Sequence, residues 1–326
     1  MASAVAALAA TTLLAACGSS SGSASTATAS NGRIDLSKVT VRVADQVSGT
    51  RSRLEASGAL KGVPYKIEWS QFAAASPQLQ AVRANAADLA FAGDAPTLNA
   101  IGAGAGIKIV QAVRGESAAN LALLVPKNSP IKTVADLKGK TVSPTTKGSI
   151  GHYLLLGALK QAGVNPKDVT ISFLAPSAAS AAFTSGSIDA WATWDPFVAL
   201  AEAKGARVLL TGQNISKGLG FVDASSKALN DPAKKAAIAD FLSRNAQSFA
   251  WEQKNPTGFA QLYSTLTKLP LSVATVVAQR GVYQQVPINQ TVIADLQEEA
   301  DVYTAAGVIP KKLDVATAFV PSLTTG

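Results

Sequence analysis

The sequence runs to 326 residues yet contains one cysteine, Cys17, and one histidine, His152. No disulfide can close inside the chain, and no cysteine or histidine cluster is present to hold a metal or to pair a thiol with a base. Behind the N-terminus, long apolar runs are missing: each falls well short of the roughly 20 residues that span a bilayer, and each is bounded by glycine, proline or charge. No repeat period is present, which argues against an adhesion or scaffold array. Charged residues make up 15% and sum to +8, but only Lys234-Lys235 and Lys311-Lys312 form adjacent basic pairs. Such a dispersed excess attracts small anions and favours solubility; without a contiguous patch, no nucleic-acid partner is expected. No segment calls for a cofactor or a metal. The glycine run at 102–106 closes a helix and opens a strand, the reverse of the order a dinucleotide-binding loop requires. Gly148-Ser149-Ile150-Gly151 lacks the leading glycine of a hydrolase nucleophile elbow, because Lys147 stands there.

The N-terminus has the composition of a targeting segment. Residues 2–16 are apolar, small or hydroxylic, long enough for a signal-peptide core and too short for a membrane span. They end in Leu14-Ala15-Ala16-Cys17 followed by Gly18, which resembles a bacterial lipobox, whose cysteine is acylated and becomes the mature N-terminus. The basic residues that open a signal peptide are not found before Arg33. Residues 1–16 are therefore expected to be a signal peptide and 17–37 a lipid-anchored flexible linker, since 18–32 are Ser, Thr, Ala, Gly and Asn without a core-forming side chain. That arrangement places the body outside the cytoplasm and tethers it to a membrane.

From Val39 the pattern alternates strands with helices, the mark of a layered α/β protein. Val39, Val41 and Val43 alternate, as do Tyr65, Ile67 and Trp69; Leu89 and Phe91 carry a third strand, and 107–113 and 120–125 two more. A second series follows, with strands near 140–142, 169–174, 188–194 and 207–210 and helices over 150–162, around Ala181 and over 195–203. After about Phe221 the spacing predicts helices alone, over 232–245, 257–266, 272–279 and 290–306. The expectation is two lobes: 38–124 with 223–326 as a discontinuous first lobe, and 125–222 as the second, with a crossing near Asn128-Ser129-Pro130.

Three helix starts sit where a strand hands over to a helix, the usual ligand position in open α/β sheets. They are Gly93 to Pro96, Gly148 to His152, and Asp195-Pro196. Free backbone N–H groups and the helix dipole at such starts can hold an anion without a side-chain cation. On spacing alone Ser149 reads as an N-cap and His152 as an exposed first-turn residue. Asp94 and Asp195 read as caps, or as readers of an amine at the far end of a ligand. Trp191 and Trp194 point to opposite faces of one strand, so Trp194 is expected to line a cleft while Trp191 packs.

An extended set of segments carries a resemblance. It comprises Gly93-Asp94-Ala95-Pro96, Asn128-Ser129-Pro130-Ile131-Lys132-Thr133-Val134-Ala135-Asp136-Leu137-Lys138-Gly139, Lys147-Gly148-Ser149, His152 with Leu154-Leu155-Leu156, Asp189-Ala190-Trp191-Ala192, Trp194-Asp195-Pro196 and Pro310-Lys311-Lys312. In order and spacing the chain resembles the solute-binding proteins of the nitrate, sulfonate and taurine importers, closest to their aliphatic-sulfonate branch. The resemblance implies a two-lobed periplasmic-binding-protein fold that carries out no reaction and acts as a monomer. It implies capture of an aliphatic sulfonate and delivery to an ABC permease, with taurine, nitrate or a sulfate ester as alternative solutes. An enzyme of the thiamine-pyrimidine-synthase or desulfinase type is a more distant alternative. The site implied is Gln71, Phe72, Gly93, Asp94, Ala95, Gly148, Ser149, His152, Trp194 and Asp195.

Overall fold

The computed structural model describes residues 34–104, 106–320 and 323. Cys17, the expected signal peptide and most of the expected linker lie outside them. The chain begins with β1 (Thr40–Gln46), α1 (Gly49–Ala56), β2 (Lys66–Phe72), α2 (Ala75–Arg83), β3 (Leu89–Gly93), α3 (Asp94–Gly102) and β4 (Ile107–Gly115). It continues through β5 (Leu121–Val125), β6 (Thr141–Ser143), α4 (Ile150–Gln161), β7 (Thr170–Ile171), α5 (Pro176–Ser185), β8 (Ala190–Trp194), α6 (Phe197–Ala203) and β9 (Arg207–Thr211). It ends with β10 (Leu219–Ser225), α7 (Ser226–Asn230), α8 (Pro232–Lys254), α9 (Pro256–Thr267), α10 (Leu271–Arg280), β11 (Tyr283–Val286) and α11 (Gln290–Ala305).

Local chemistry explains the main boundaries. In β1 the alternating Val41 and Val43 are buried, whereas β5 and β8 are buried at every residue, as central strands covered on both faces must be. Ser149 caps α4, and Asp231 caps α8 by accepting the amides of Ala233 and Lys234, with Pro232 at the first helical position.

The strands form two sheets, in the orders β11-β4-β10-β3-β1-β2 and β7-β6-β8-β5-β9. In the first, β1 runs parallel to β2 and β3, while β10 lies antiparallel between β3 and β4. In the second, β6 runs parallel to β7 and β8, while β5 lies antiparallel between β8 and β9. We call the halves built on these sheets the first and second lobes. Each has its own core, the first around Val43, Leu54, Ile238 and Phe241, the second around Leu123, Leu154, Leu159 and Val142. Each such side chain, fully buried, contributes roughly 1.5–3 kcal/mol. Two further clusters join the lobes: Ala199 of α6 packs on Phe259, Tyr263 and Val273, and Tyr153 of α4 packs among Ala95, Leu98 and Tyr303.

The mixed α/β architecture matches the expected class, but three segments differ from the sequence reading. The apolar run β5 belongs to the second sheet, so the chain first crosses at 116–120, ahead of the Asn128-Ser129-Pro130 turn and of the expected boundary after residue 124. Strands do not cease near Phe221: β10 is the inserted central strand of the first sheet, and β11 extends its edge. Gly220 and Asp223 interrupt the apolar pattern of β10 for packing reasons. A Cβ at Gly220 would lie 2.8 Å from Phe91 Cζ, and buried Asp223 accepts the Thr97 hydroxyl at 2.7 Å. In β11 the exposed Gln284 and Gln285 hide the strand, as edge positions allow. The strand expected over 169–174 shortens to Thr170–Ile171.

Candidate functional site

A cavity of about 190 Å³ lies between the sheets, where the ends of β1, β3 and β8 bring Gln46, Gly93 and Trp194 together. It exceeds the ~150 Å³ that encloses a benzene-sized guest. Four helix starts line it: Gly49 and Thr50 of α1, Ala75 and Ser76 of α2, Gly93 and Pro96 at α3, Ser149 and Ile150 at α4. Pro196, just ahead of α6, lies beside them. A helix start carries unsatisfied N–H groups and the positive end of the dipole, so their convergence makes a positive region without a mobile counter-charge.

These starts are not equivalent. Asp45 already takes the α1 amides, accepting from Thr50 at 3.0 Å and Arg51 at 3.3 Å, and Ser149 Oγ takes the His152 amide of α4 at 3.2 Å. At α2 and α3 the N-cap positions are Ala74 and Gly93, which supply no side-chain cap. Within α3 the Ala95 N–H is used by Asp94 Oδ1 at 2.8 Å. The start of α2 is thus the most open of the four. Three donors on the lining add to it, because Ser76 Oγ, Thr146 Oγ1 and Trp194 Nε1 have no hydrogen-bond partner among the described residues. Buried donors left unpaired cost about 1–3 kcal/mol each, which favours an occupant that accepts hydrogen bonds.

The rest of the lining is aromatic and ionic. Phe259, Tyr263, Val277 and Tyr283 line it together with Arg53 and Glu252. Arg53 is 5% exposed; its Nε donates to Ser248 at 3.0 Å, its Nη2 to Asn245 at 2.9 Å, and its guanidinium lies 3.6 Å over the Phe249 ring. Burial pushes the Glu252 carboxyl up to about 7, opposed by Arg53.

The residues expected from sequence divide between this lining and its support. Gly93, Ser149, Trp194 and Asp195 line the cavity. Trp194 faces it while Trp191, fully buried, donates its Nε1 to Thr145. Asp195 caps α6 through the Ala199 amide at 2.9 Å, and burial raises its carboxyl to about 6. The Ser149 hydroxyl, expected as a ligand donor, instead donates to the Pro144 carbonyl at 2.9 Å.

The others stand behind the wall. His152 is buried, not exposed, its Nδ1 accepting from the Gly148 amide at 3.3 Å and its ring set edge-on to Phe173. Burial, helped by the charge of Lys147, lowers its pKa to about 4, so the ring is neutral. Gly148 has φ +74°, and a Cβ there would meet the Asn99 side chain at 2.5 Å, so its role is the turn into α4. Asp94 is the first residue of α3 rather than its cap; burial pushes it up to about 6, and it faces Glu299, also raised by burial. Ala95 packs in the core with Leu98. Gln71 bonds Asp45 and Ser48 and so braces the turn into α1, while Phe72 packs near Leu79.

Sequence reasoning missed Arg53, Glu252, Ser76, Thr146 and the aromatic wall. Arg53 and Glu252 lie in helices among other charged residues, and local spacing does not separate a buried member from a solvated one. Ser76-Pro77 has the residue types of a helix start, but its approach to the cavity depends on β2 lying beside β1.

Residues 66–255 match the family described as NMT1/THI5 like. A relative from Escherichia coli named for binding aliphatic sulfonates is 35% identical over 253 residues, spanning 77% of this chain and 78% of the relative. Among solved structures, the periplasmic aliphatic sulphonate-binding protein of Escherichia coli is 32% identical with a TM-score of 0.77, covering 88% of this chain and 94% of that one. The alkanesulfonate-binding protein of Xanthomonas axonopodis pv. citri, bound to MOPS, is 31% identical with a TM-score of 0.80, covering 87% and 98%.

Proposed function

This chain belongs to the NMT1/THI5-like family, and from that membership we propose that it is an extracytoplasmic solute-binding protein capturing an aliphatic sulfonate between its lobes for an ABC permease. The observation that carries the reading is the convergence of helix starts from both lobes on one cavity that also holds unpaired hydroxyl and indole donors. A sulfonate is a permanent anion with three acceptor oxygens spread over one face. It can take several amide and hydroxyl donors at once, each charge-assisted. Trp194, Phe259, Tyr263 and Val277 offer an apolar surface to its chain, worth about 0.8 kcal/mol for each methylene buried.

The same geometry speaks against a reaction. Ser149 and His152 are tied to one another's helix turn, with the hydroxyl directed at a carbonyl rather than at the ring. Titration calorimetry with C2 to C8 alkanesulfonates, taurine, nitrate and sulfate tests the reading. Dissociation constants of about micromolar or below are expected for at least one alkanesulfonate, unchanged in composition after binding. If none of the sulfonates bound, the reading would fail. Lipid anchoring rests on the lipobox-like sequence at Cys17. Cys17→Ser is expected to release the protein from membranes into the soluble fraction, and persistent attachment would remove the anchor from the account.

A further inference from the structure

Two of the helix starts that line the cavity are held from behind by a helix that does not reach it. Among the described residues α11 contributes nothing to the lining, yet Glu299 and Tyr303, four positions apart and so on one face of α11, each engage a different start. The Tyr303 hydroxyl, fully buried, donates to the Ser149 carbonyl at 2.8 Å. Ser149 is the N-cap of α4 in the second lobe, and its carbonyl already accepts the amides of His152 at 3.0 Å and Tyr153 at 3.1 Å. The helix therefore does not need a third donor there to form. What the hydroxyl adds is a tie from the start of α4 to the first lobe, with the Tyr303 ring set edge-on to Tyr153 at 5.4 Å.

Glu299 faces Asp94, the first residue of α3. Asp94 Oδ1 accepts the Ala95 amide at 2.8 Å, while its Oδ2 and both Glu299 oxygens are buried. The Leu219 and Lys217 amides approach the pair, but no donor among the described residues closes a hydrogen bond to these three oxygens. The nearby cations are engaged elsewhere, Lys217 with Glu298 at 2.8 Å and Arg114 with Asp295 at 2.5 Å. Burial, with the Asp94 charge beside it, raises Glu299 well above the ordinary carboxyl range. Glu299 thus keeps its proton and donates it to Asp94, which ties the start of α3 to the same face of α11.

We infer that α11 is a positioning element for the anion site: Glu299 and Tyr303 hold the starts of α3 and α4 at the spacing where donors from both lobes meet one head group. The inference rests on the sulfonate-binding reading and assigns neither residue a contact with the ligand. An anion bridging two helix starts gains from each only while both stay within hydrogen-bond reach. A small shift of either start therefore weakens capture without unfolding a lobe.

Calorimetric titration of the full chain with butane-1-sulfonate at pH 7 tests it. Tyr303→Phe, which keeps the ring, should bind about threefold to tenfold more weakly, the loss expected for one hydrogen bond. Glu299→Met should weaken binding to a similar degree, whereas Glu299→Gln, which still offers Asp94 a donor, should stay within about twofold of the wild type. A role in stability alone would lower the urea midpoints of Tyr303→Phe and Glu299→Met and leave their affinities intact, and that result overturns the inference. A second reading needs no variant. On addition of butane-1-sulfonate to the wild-type chain, amide hydrogen exchange should slow around Tyr303 as well as at the start of α4, although α11 does not touch the cavity. Slowing confined to the lining segments overturns the inference while leaving sulfonate capture intact. Absence of alkanesulfonate binding by the wild-type chain overturns sulfonate capture, and this inference with it.

Discussion

The two lobes share a strand order but solvate buried polarity differently. In each, three parallel strands are followed by an antiparallel one that arrives from the other side of a crossing, β10 in the first lobe and β5 in the second. The first lobe buries Asp45, Arg53, Asp88, Asp94, Asp223, Glu252 and Glu299. Among the described residues, the polar side chains buried in the second are Ser143, Thr145, Ser149, His152 and Thr193, with the imidazole held neutral. The first lobe therefore supplies most of the buried titratable charge, while the second supplies mainly fixed dipoles, with Asp195 as its acid on the lining. An anion gains from both, and its capture can depend on pH through Glu252 of the first lobe and Asp195 of the second.

The contrast implies that charge breaks the first lobe and space breaks the second. Arg53→Met should have the largest effect, lowering stability by about 3–5 kcal/mol, because it leaves Glu252 buried without its ionic partner and Ser248 and Asn245 without their shared donor. Urea unfolding at pH 8 measures it, and a loss under about 1 kcal/mol would show the first lobe indifferent to its ions. In the second lobe, Gly151→Ala adds a Cβ 2.5 Å from the Ala192 carbonyl and 2.8 Å from that of Pro144. Both neighbours are backbone, so α4 must move, at about 1–3 kcal/mol. Thermal unfolding should show that cost together with weaker sulfonate binding, since the start of α4 lines the cavity. Full stability in this variant would mean the second lobe is looser than its packing indicates.

The same division explains what could be read from the amino acids alone. The second lobe was legible because β5, β8 and β9 are mostly apolar and its helices carry local stop and start signals, as in Ser149 before α4 and Gly163 after it. In the first the strands were legible only up to β4, although the later helices α8 to α11 followed from their spacing. Its inserted strand β10 contains Gly220 and Asp223, whose places are set by Phe91 and Thr97, residues more than a hundred positions away. The site followed suit. Gly93, Ser149, Trp194 and Asp195 stand at strand-to-helix turns that local pattern marks, whereas Arg53 and Glu252 meet across the fold from helices that resemble ordinary solvated ones. Local chemistry announces the dipole half of the cleft; tertiary contact alone assembles the ionic half.

Substitution on the dipole side should be smaller in effect and independent of pH. Thr146→Val removes an unpaired hydroxyl on the lining while keeping its shape, so sulfonate affinity is expected to fall by about 1–2 kcal/mol, with stability unchanged or slightly raised. Tighter binding would mean that the hydroxyl does not reach the head group.

The smallest effect reads the acids of the cleft against its neutral donors. Burial raises Asp195 and Asp94 to about 6 and Glu252 to about 7, so all three gain negative charge as pH rises from about 5.5 to 8. His152, lowered to about 4, stays neutral throughout that range and contributes nothing. For butane-1-sulfonate the new charges repel the ligand, and affinity should fall with rising pH by about threefold to tenfold. By linkage, binding this anion favours the protonated acids and takes up protons from solution. Titrations at matched ionic strength over that range measure the slope, and Glu252→Gln should flatten it. A curve without slope in the wild-type chain would place the titrating acids outside the reach of the ligand, and the distinction between acids and neutral donors would lose its functional meaning.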